Sequence, residues 1–320
     1  MEKTNKKIAS SNAFAKRNHK RLIFYIAGVS LPVLQFCIFY IGVNFNSVLL
    51  AFKDYTLIDE ASGLYGFSFA KFDNFIQIFR DFAQESYMLK AVANSCIGFL
   101  VGWIGFFGSL LFSYYIMKKY RGGKFFQLML FLPSIISEIV MVTLYKYFVE
   151  NNIPALLEMI TGEYVMGFAY HSDLTIRFIT VLICSVWLGF GTNILLFGGA
   201  MTGISDSVLE AAQLDGVRPL REFFSVVLPI VYPTVSTLAI VSVAGIFTNQ
   251  LGLYSFYGGS AERNMYTIGY FLYVRTQEAG NSGLSRYPYL AAFGLLVSAV
   301  TIPLTVLFRK AVNAFGKRFE

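Results

Sequence analysis

Glu138 is the single charged residue between positions 125 and 145, in a stretch otherwise built from apolar and small polar residues. An ionisable group in such a run faces a cavity or a partner rather than lipid, so its carboxylate is a candidate for solute, proton or partner chemistry. A second constellation runs from Ser207 to Gly216. Ser207-x-x-Glu210 has the spacing of a capping box, in which hydroxyl and carboxylate each satisfy an amide at a helix start. Gly216 supplies the left-handed residue that ends a helix of barely two turns, Val208 to Leu214. Pro219 then suits the first turn of a second helix, running through Phe223 and Phe224 to Leu228. The product is a short rigid knob. Ala211 and Ala212 leave it slim enough to enter a cleft on a partner, and Glu210 can add a charge-assisted contact there.

Other reactive residue types are sparse. His19 and His171 stand alone, with no second ligand at metal spacing. Cys37, Cys96 and Cys184 all fall inside apolar runs, which argues for small core residues and against disulfides or a CxxC site. The apolar runs also lack the clustered His, Asp or Glu that a membrane-embedded enzyme needs.

The elements that must position these residues follow from charge segregation. Hydrophobic residues make up 56% of the chain and charged residues 14%, against about 25% charged in soluble domains. Residues 22–52, 91–117, 178–205, 223–261 and 287–308 carry no Asp, Glu, Lys or Arg. Since roughly 18 apolar residues suffice to cross the hydrocarbon core, six transmembrane helices are predicted, at about 22–43, 91–117, 125–149, 176–201, 226–250 and 287–309. The run 223–261 is too long for one span, so part of it must bend or lie at the interface.

Lys and Arg placement sets the orientation. Segments 1–21, 118–124, 202–225 and 309–320 hold 17 of the 26 basic residues, which predicts an N-in, C-in protein. The basic residues of 1–21 read as a cytoplasmic arm at an anionic leaflet before an uncleaved first helix, not a signal peptide. Positive-inside anchoring accounts for the net charge of +7, so no nucleic-acid partner is implied. The predicted domains are this arm, a transmembrane domain over 22–312 with its coupling loop at about 202–228, and a cytoplasmic tail over 313–320.

Phe72, Phe75, Ile76 and Phe79 mark an amphipathic helix in the outer loop 53–90, which fits the outer headgroup layer. Met265, Ile268, Gly269 and Leu272 repeat that spacing in loop 251–286. Packing against the protein core is the alternative for both. Gly98, Gly102, Gly105 and Gly108 in the second span let helices approach closely. Pro133, Pro229, Pro233 and Pro303 are tolerated kinks.

Glu210-Ala211-Ala212, a gap of two, Asp215-Gly216 and then Leu228-Pro229 resembles the cytoplasmic EAA loop of binding-protein-dependent ABC importer permeases. The resemblance extends over about 22–312. Ala51-Phe52-Lys53-Asp54-Tyr55, Phe72-Asp73-Asn74-Phe75, Phe131-Leu132-Pro133 and Trp187-Leu188-Gly189-Phe190-Gly191-Thr192-Asn193 look like the maltose-type, carbohydrate-uptake branch, nearest the permeases for oligosaccharides and polysaccharide fragments. Glu138 departs from it, since members often carry an apolar or aromatic residue near that point.

The resemblance implies an all-α type I importer permease in the bacterial cytoplasmic membrane, coupled through Glu210, Ala211, Ala212, Asp215 and Gly216 to an ATPase dimer. It implies a second homologous permease and an extracytoplasmic solute-binding protein. ATP and Mg would sit on the ATPase, because this chain has no G-x-x-x-x-G-K-[ST] and is not itself an enzyme. A sugar pathway needs aromatic faces and hydrogen-bonding groups, for which Glu138, Tyr145, Asn193, Asn249 and Gln250 are polar candidates and Trp187 a stacking surface. Amides in spans also serve as interhelical hydrogen bonds, and Trp187 as packing. Two alternatives stand beside the sugar reading. One is an ABC permease for an amino acid, phosphate or metal. The other is a proton- or sodium-coupled transporter using Glu138, which would predict inverted repeats and several buried ionisable groups that the sequence does not display.

Overall fold

The computed structural model describes residues 21–59, 64–282 and 286–318. The basic arm predicted over 1–21 thus lies outside the described residues, save for Arg21. The described chain falls into two compact units, one reaching to Phe75 and including 286–292, the other holding the remainder.

The first unit contains α1 (Arg21–Leu50), an apolar helix whose most hydrophobic window has no buried residue and which relaxes into π turns over Phe36–Gly42. A β-hairpin follows, β1 (Lys53–Asp59) antiparallel to β2 (Leu64–Phe69), with Tyr55 opposite Phe67. Their rings meet edge to face at 5.1 Å, a cross-strand pair of the kind that stabilises sheets. The Asn74 amide closes the hairpin base by donating to the carbonyls of Ala51 (3.0 Å) and Lys53 (2.7 Å). Both strands fall within the outer loop 53–90, where hydropathy alone carries no strand signal.

The second unit is a helical bundle. α2 (Asp73–Gln84) begins in the first unit and continues here, and α3 (Ser86–Met117) follows. Then come α4 (Gly123–Ile135), α5 (Glu138–Thr161), α6 (Leu174–Met201), α7 (Asp206–Leu214) and α8 (Pro219–Ala244). The short α9 (Leu253–Tyr257), α10 (Ile268–Ser282) and the part of α11 (Tyr287–Gly316) from Phe293 onward complete it. Five described helices are long and apolar enough to cross a membrane, six if α4 and α5 form one broken span.

That break corrects one expectation. The third span is not continuous over 125–149 with a kink at Pro133. The helix runs through Pro133, stops where Ile136 (ψ 149°) and Ser137 (ψ 134°) turn extended, and restarts at Glu138, the two parts meeting at 109°. Two consecutive extended residues interrupt the i→i−4 ladder, and serine is well suited to the N-cap position it takes.

The bundle packs around α6, which lies along α3 and against α4 and α8. In lipid such contacts are held by van der Waals packing and backbone proximity rather than by water exclusion. Gly191 is the closest approach: a Cβ there would run into the Leu130 carbonyl of α4. The α3 glycines receive α6 side chains, Val186 over Gly105 and Phe190 over Gly108, while Leu251 covers Gly98. One apolar cluster, including Phe106, Tyr114, Phe197, Phe223 and Val227, lies at the α7 end; another, with Val181, Leu251, Phe256 and Tyr270, lies at the opposite end.

The two outer helices differ. On α2 and the residue before it, Ile78 is buried while Phe72, Ile76 and Phe79 are exposed. On α10 and the turn before it, Met265, Ile268, Tyr270 and Phe271 are all buried, so this helix packs into the protein.

Candidate functional site

The knob predicted from Ser207 to Gly216 is a nine-residue helix, α7. Its start is corrected by two residues. Ser205, extended at φ −68° and ψ 140°, is the N-cap, so Ser207 lies inside the first turn and forms no capping box with Glu210. Asp206 instead brings a carboxylate to the positive end of the helix. The stop is a Schellman turn: Gly216 (φ +68°) donates to Gln213 and Val217 to Ala212. Pro219 then opens α8 as its first residue. Glu210, Ala211, Asp215 and Gly216 are exposed, whereas Ala212 turns inward and is 7% exposed. Leu214 and Leu220, on either side of the corner, are 89% and 70% exposed.

What holds the knob was not read from the sequence. Lys118, counted there only as a topology signal, places its Nζ 3.0 and 3.1 Å from both carboxylate oxygens of Glu222. One turn back on α3, the Tyr114 hydroxyl donates to the Pro219 carbonyl (3.0 Å) and its ring meets Phe223. A signal was present: Glu222 is the last acid before the charge-free run 223–261. A cleft of about 780 Å³ opens beside the knob, between loop 118–124 and the start of α7, with Lys119, Arg121 and Lys124 among its lining residues.

The six residues proposed for the pathway separate into three places. Asn193 and Asn249 share a cleft of about 350 Å³ between α3, α6 and α8, with Trp103, Ser242 and Thr248. The Trp103 indole N–H is buried without a hydrogen-bond partner; it was missed because nothing in the sequence separates an unpaired indole from a packed one. Asn249 Oδ1 accepts from the Leu251 amide (2.8 Å), and the neighbouring Gln250 Oε1 is buried and unpaired. Tyr145 and Trp187 lie elsewhere. The Tyr145 hydroxyl donates to the Thr180 carbonyl (3.2 Å), and Trp187 lines an apolar groove with Ile104, Ile183 and Phe190. Glu138 occupies the third place, the break itself, where it accepts from Ser255 Oγ (3.2 Å) on α9.

Loop 245–267, which carries Asn249, Gln250 and Ser255, is braced by two tyrosines. Tyr257 donates to the Ala169 carbonyl and Tyr270 to that of Gly258, both at 2.7 Å. Burial pushes each phenol up to about 12, so both remain neutral donors at physiological pH. Among the described residues no cluster of His, Cys, Asp or Glu is arranged to hold a metal.

Residues 123–320 match the family described as the binding-protein-dependent transport system inner membrane component. The chain belongs to this family. The permease is therefore a multi-pass inner-membrane transport subunit and not an enzyme. The sn-glycerol-3-phosphate transport system permease protein UgpA of Yersinia pestis bv. Antiqua (strain Antiqua) is 27% identical to it over 241 residues, spanning 75% of this chain and 78% of the relative. The same-named protein of Salmonella typhi is 28% identical over 250 residues, covering 77% and 81%. Among solved structures, a bacterial ABC transporter involved in the import of the acidic polysaccharide alginate superposes with a TM-score of 0.72 at 18% identity, covering 94% of the permease and 98% of that chain. The likeness establishes a shared fold.

Proposed function

We propose that the permease is one half of the membrane pore of an ATP-driven carbohydrate importer and docks its ATPase through α7, with N and C termini in the cytoplasm. The observation that carries the docking is the surface of the knob. Two leucines, Leu214 and Leu220, stand exposed beside Glu210, Ala211 and the Gly216 corner, on a rigid turn that the bundle does not cover. Exposed apolar side chains beside a carboxylate, outside the lipid-spanning segments, fit a protein partner. The ATPase, with its ATP and Mg, would be that partner. A second permease would complete the pore, and an extracytoplasmic binding protein would deliver the solute.

The cleft of Asn193 and Asn249 supports a hydroxylated solute. Its amides and hydroxyls can exchange hydrogen bonds with sugar hydroxyls, and none of its described lining residues is charged. The UgpA relatives, named for glycerol phosphate transport, and the carbohydrate-type motifs agree with a polyol-like cargo, an oligosaccharide or polysaccharide fragment being the reading we favour.

The test is reconstitution with the partner permease, ATPase and binding protein in proteoliposomes, measuring ATP-dependent uptake of labelled neutral oligosaccharides and glycerol phosphate. Oligosaccharide uptake that disappears without the ATPase is the expected result. Uptake of glycerol phosphate alone would overturn the oligosaccharide reading, and uptake independent of the ATPase would overturn the importer itself.

A further inference from the structure

We propose that Lys118 and Glu222 are positioning residues that make the end of α3, the corner at Gly216 and the first turn of α8 move as one body, so that α3 carries motion from α7 to the solute cleft. This rests on reading α7 as the ATPase-docking element.

The pair is withdrawn from solvent, at 11% and 2% side-chain exposure, and the ammonium faces both carboxylate oxygens. Buried ion pairs are poor devices for stability, because apolar residues of similar size often serve as well. Their attested use is to fix one register between two elements. Here the register is fixed twice. Tyr114 on α3 and Lys118, the residue that caps it, hold Pro219, Glu222 and Phe223 through a hydrogen bond, an ion pair and a ring contact.

Immediately after Glu222, the helix changes to π geometry over Phe223–Val227 before resuming at Leu228. Such i→i+5 turns are rare and recur at functional sites. A displacement applied at α7 therefore meets an ion-paired joint at α3 and an altered helical ladder in α8. Of α3 and α8, α3 is the uninterrupted one. It is one continuous helix from Ser86 to Met117, and its Gly98, Gly102 and Trp103 line the cleft that holds Asn193 and Asn249.

The experiment uses the complete transporter in proteoliposomes and reads two quantities: ATP hydrolysed per solute imported, and ATPase retained on purification. Lys118→Glu, Glu222→Lys and the exchanged double variant are compared. Each single change should leave the ATPase bound and hydrolysing while raising ATP per solute at least about fivefold, the lower end of ordinary coupling between sites. The exchanged pair should return the ratio to within about twofold of wild type. An unchanged ratio in the single variants overturns the inference while leaving the docking reading intact, since the ATPase remains bound. If a single variant fails to fold, the exchanged pair decides: a folded double variant that stays uncoupled also overturns it. Failure of the docking reading is seen separately, as no crosslink between a cysteine at Ala211 and the ATPase in the wild-type background.

Discussion

Glu138 on α5 accepts a hydrogen bond at 3.2 Å from Ser255 on α9, joining the start of a broken helix to a turn 117 residues further along the chain. Two turns along α5, Lys146 donates to the Phe256 carbonyl at 3.0 Å. Two points on α5 thus hold consecutive residues of α9, and with it the loop that brings Asn249 to the cleft. The carboxylate also sits in the first turn of its helix, where negative charge is favoured by about 0.3–1 kcal/mol. An acid that looked out of place in an apolar run has a local reason to be there.

Glu138→Gln keeps an acceptor for Ser255 and should retain most uptake. Glu138→Leu removes the acceptor and frees α9, and should lower uptake about tenfold, equivalent to roughly 1.4 kcal/mol. Ser255→Ala should resemble the Leu variant in direction. Initial uptake rates in proteoliposomes, with assembly checked by co-purification, decide this. Undiminished uptake with Glu138→Leu would remove Glu138 from both positioning and solute binding.

Gly216→Val places a β-branched residue at φ +68°, which costs about 1–2 kcal/mol for an L side chain and strains the Schellman turn. The variant should insert normally yet lose ATPase association. Gly216→Asn, which tolerates the left-handed region, should keep it. Co-purification of the ATPase with each variant separates the outcomes; equal retention would show that the corner is not part of the docking surface.

A methyl group at Gly191 has nowhere to go, because α4 backbone occupies its place. Gly191→Ala should destabilise the permease by about 1–3 kcal/mol, as overpacking does. Gly189→Ala, with open space at its Cβ, should be close to neutral. Thermal unfolding in detergent provides the comparison, and equal melting temperatures would mean α4 and α6 are not in close contact.

Cysteine labelling tests the orientation. In a background lacking native cysteines, a cysteine at exposed Ser172 should react with a membrane-impermeant reagent from outside, and one at Ser207 only after permeabilisation. Outside labelling at Ser207 would invert the topology.

Much of the bundle was legible because lipid imposes a simple rule. Charge-free runs long enough to span are visible without any tertiary information, and α1, α3, α6, α8 and α11 lie where those runs are. The corner was legible for a local reason, since Asp215-Gly216 followed by Pro219 is turn chemistry in its own right. Long-range pairings were not. Lys118 and Glu222 are 104 residues apart and each looks ordinary alone. The break at Ser137 was missed because hydropathy measures whether a residue prefers lipid, not whether its ψ is extended. Trp187 and Asn193 belong to one motif and one helix, yet line different grooves, a consequence of helical periodicity that spacing alone could have suggested.

The bend between α4 and α5 has a consequence for the barrier itself. Thirteen residues of α-helix reach about 20 Å, short of the roughly 30 Å hydrocarbon layer. The helix ends on either side of Ile136 and Ser137 present carbonyls and amides that acyl chains cannot satisfy. Those groups require water or other protein groups as partners. The break must therefore face protein or water rather than acyl chains, which fixes the side on which α4 and α5 can meet lipid.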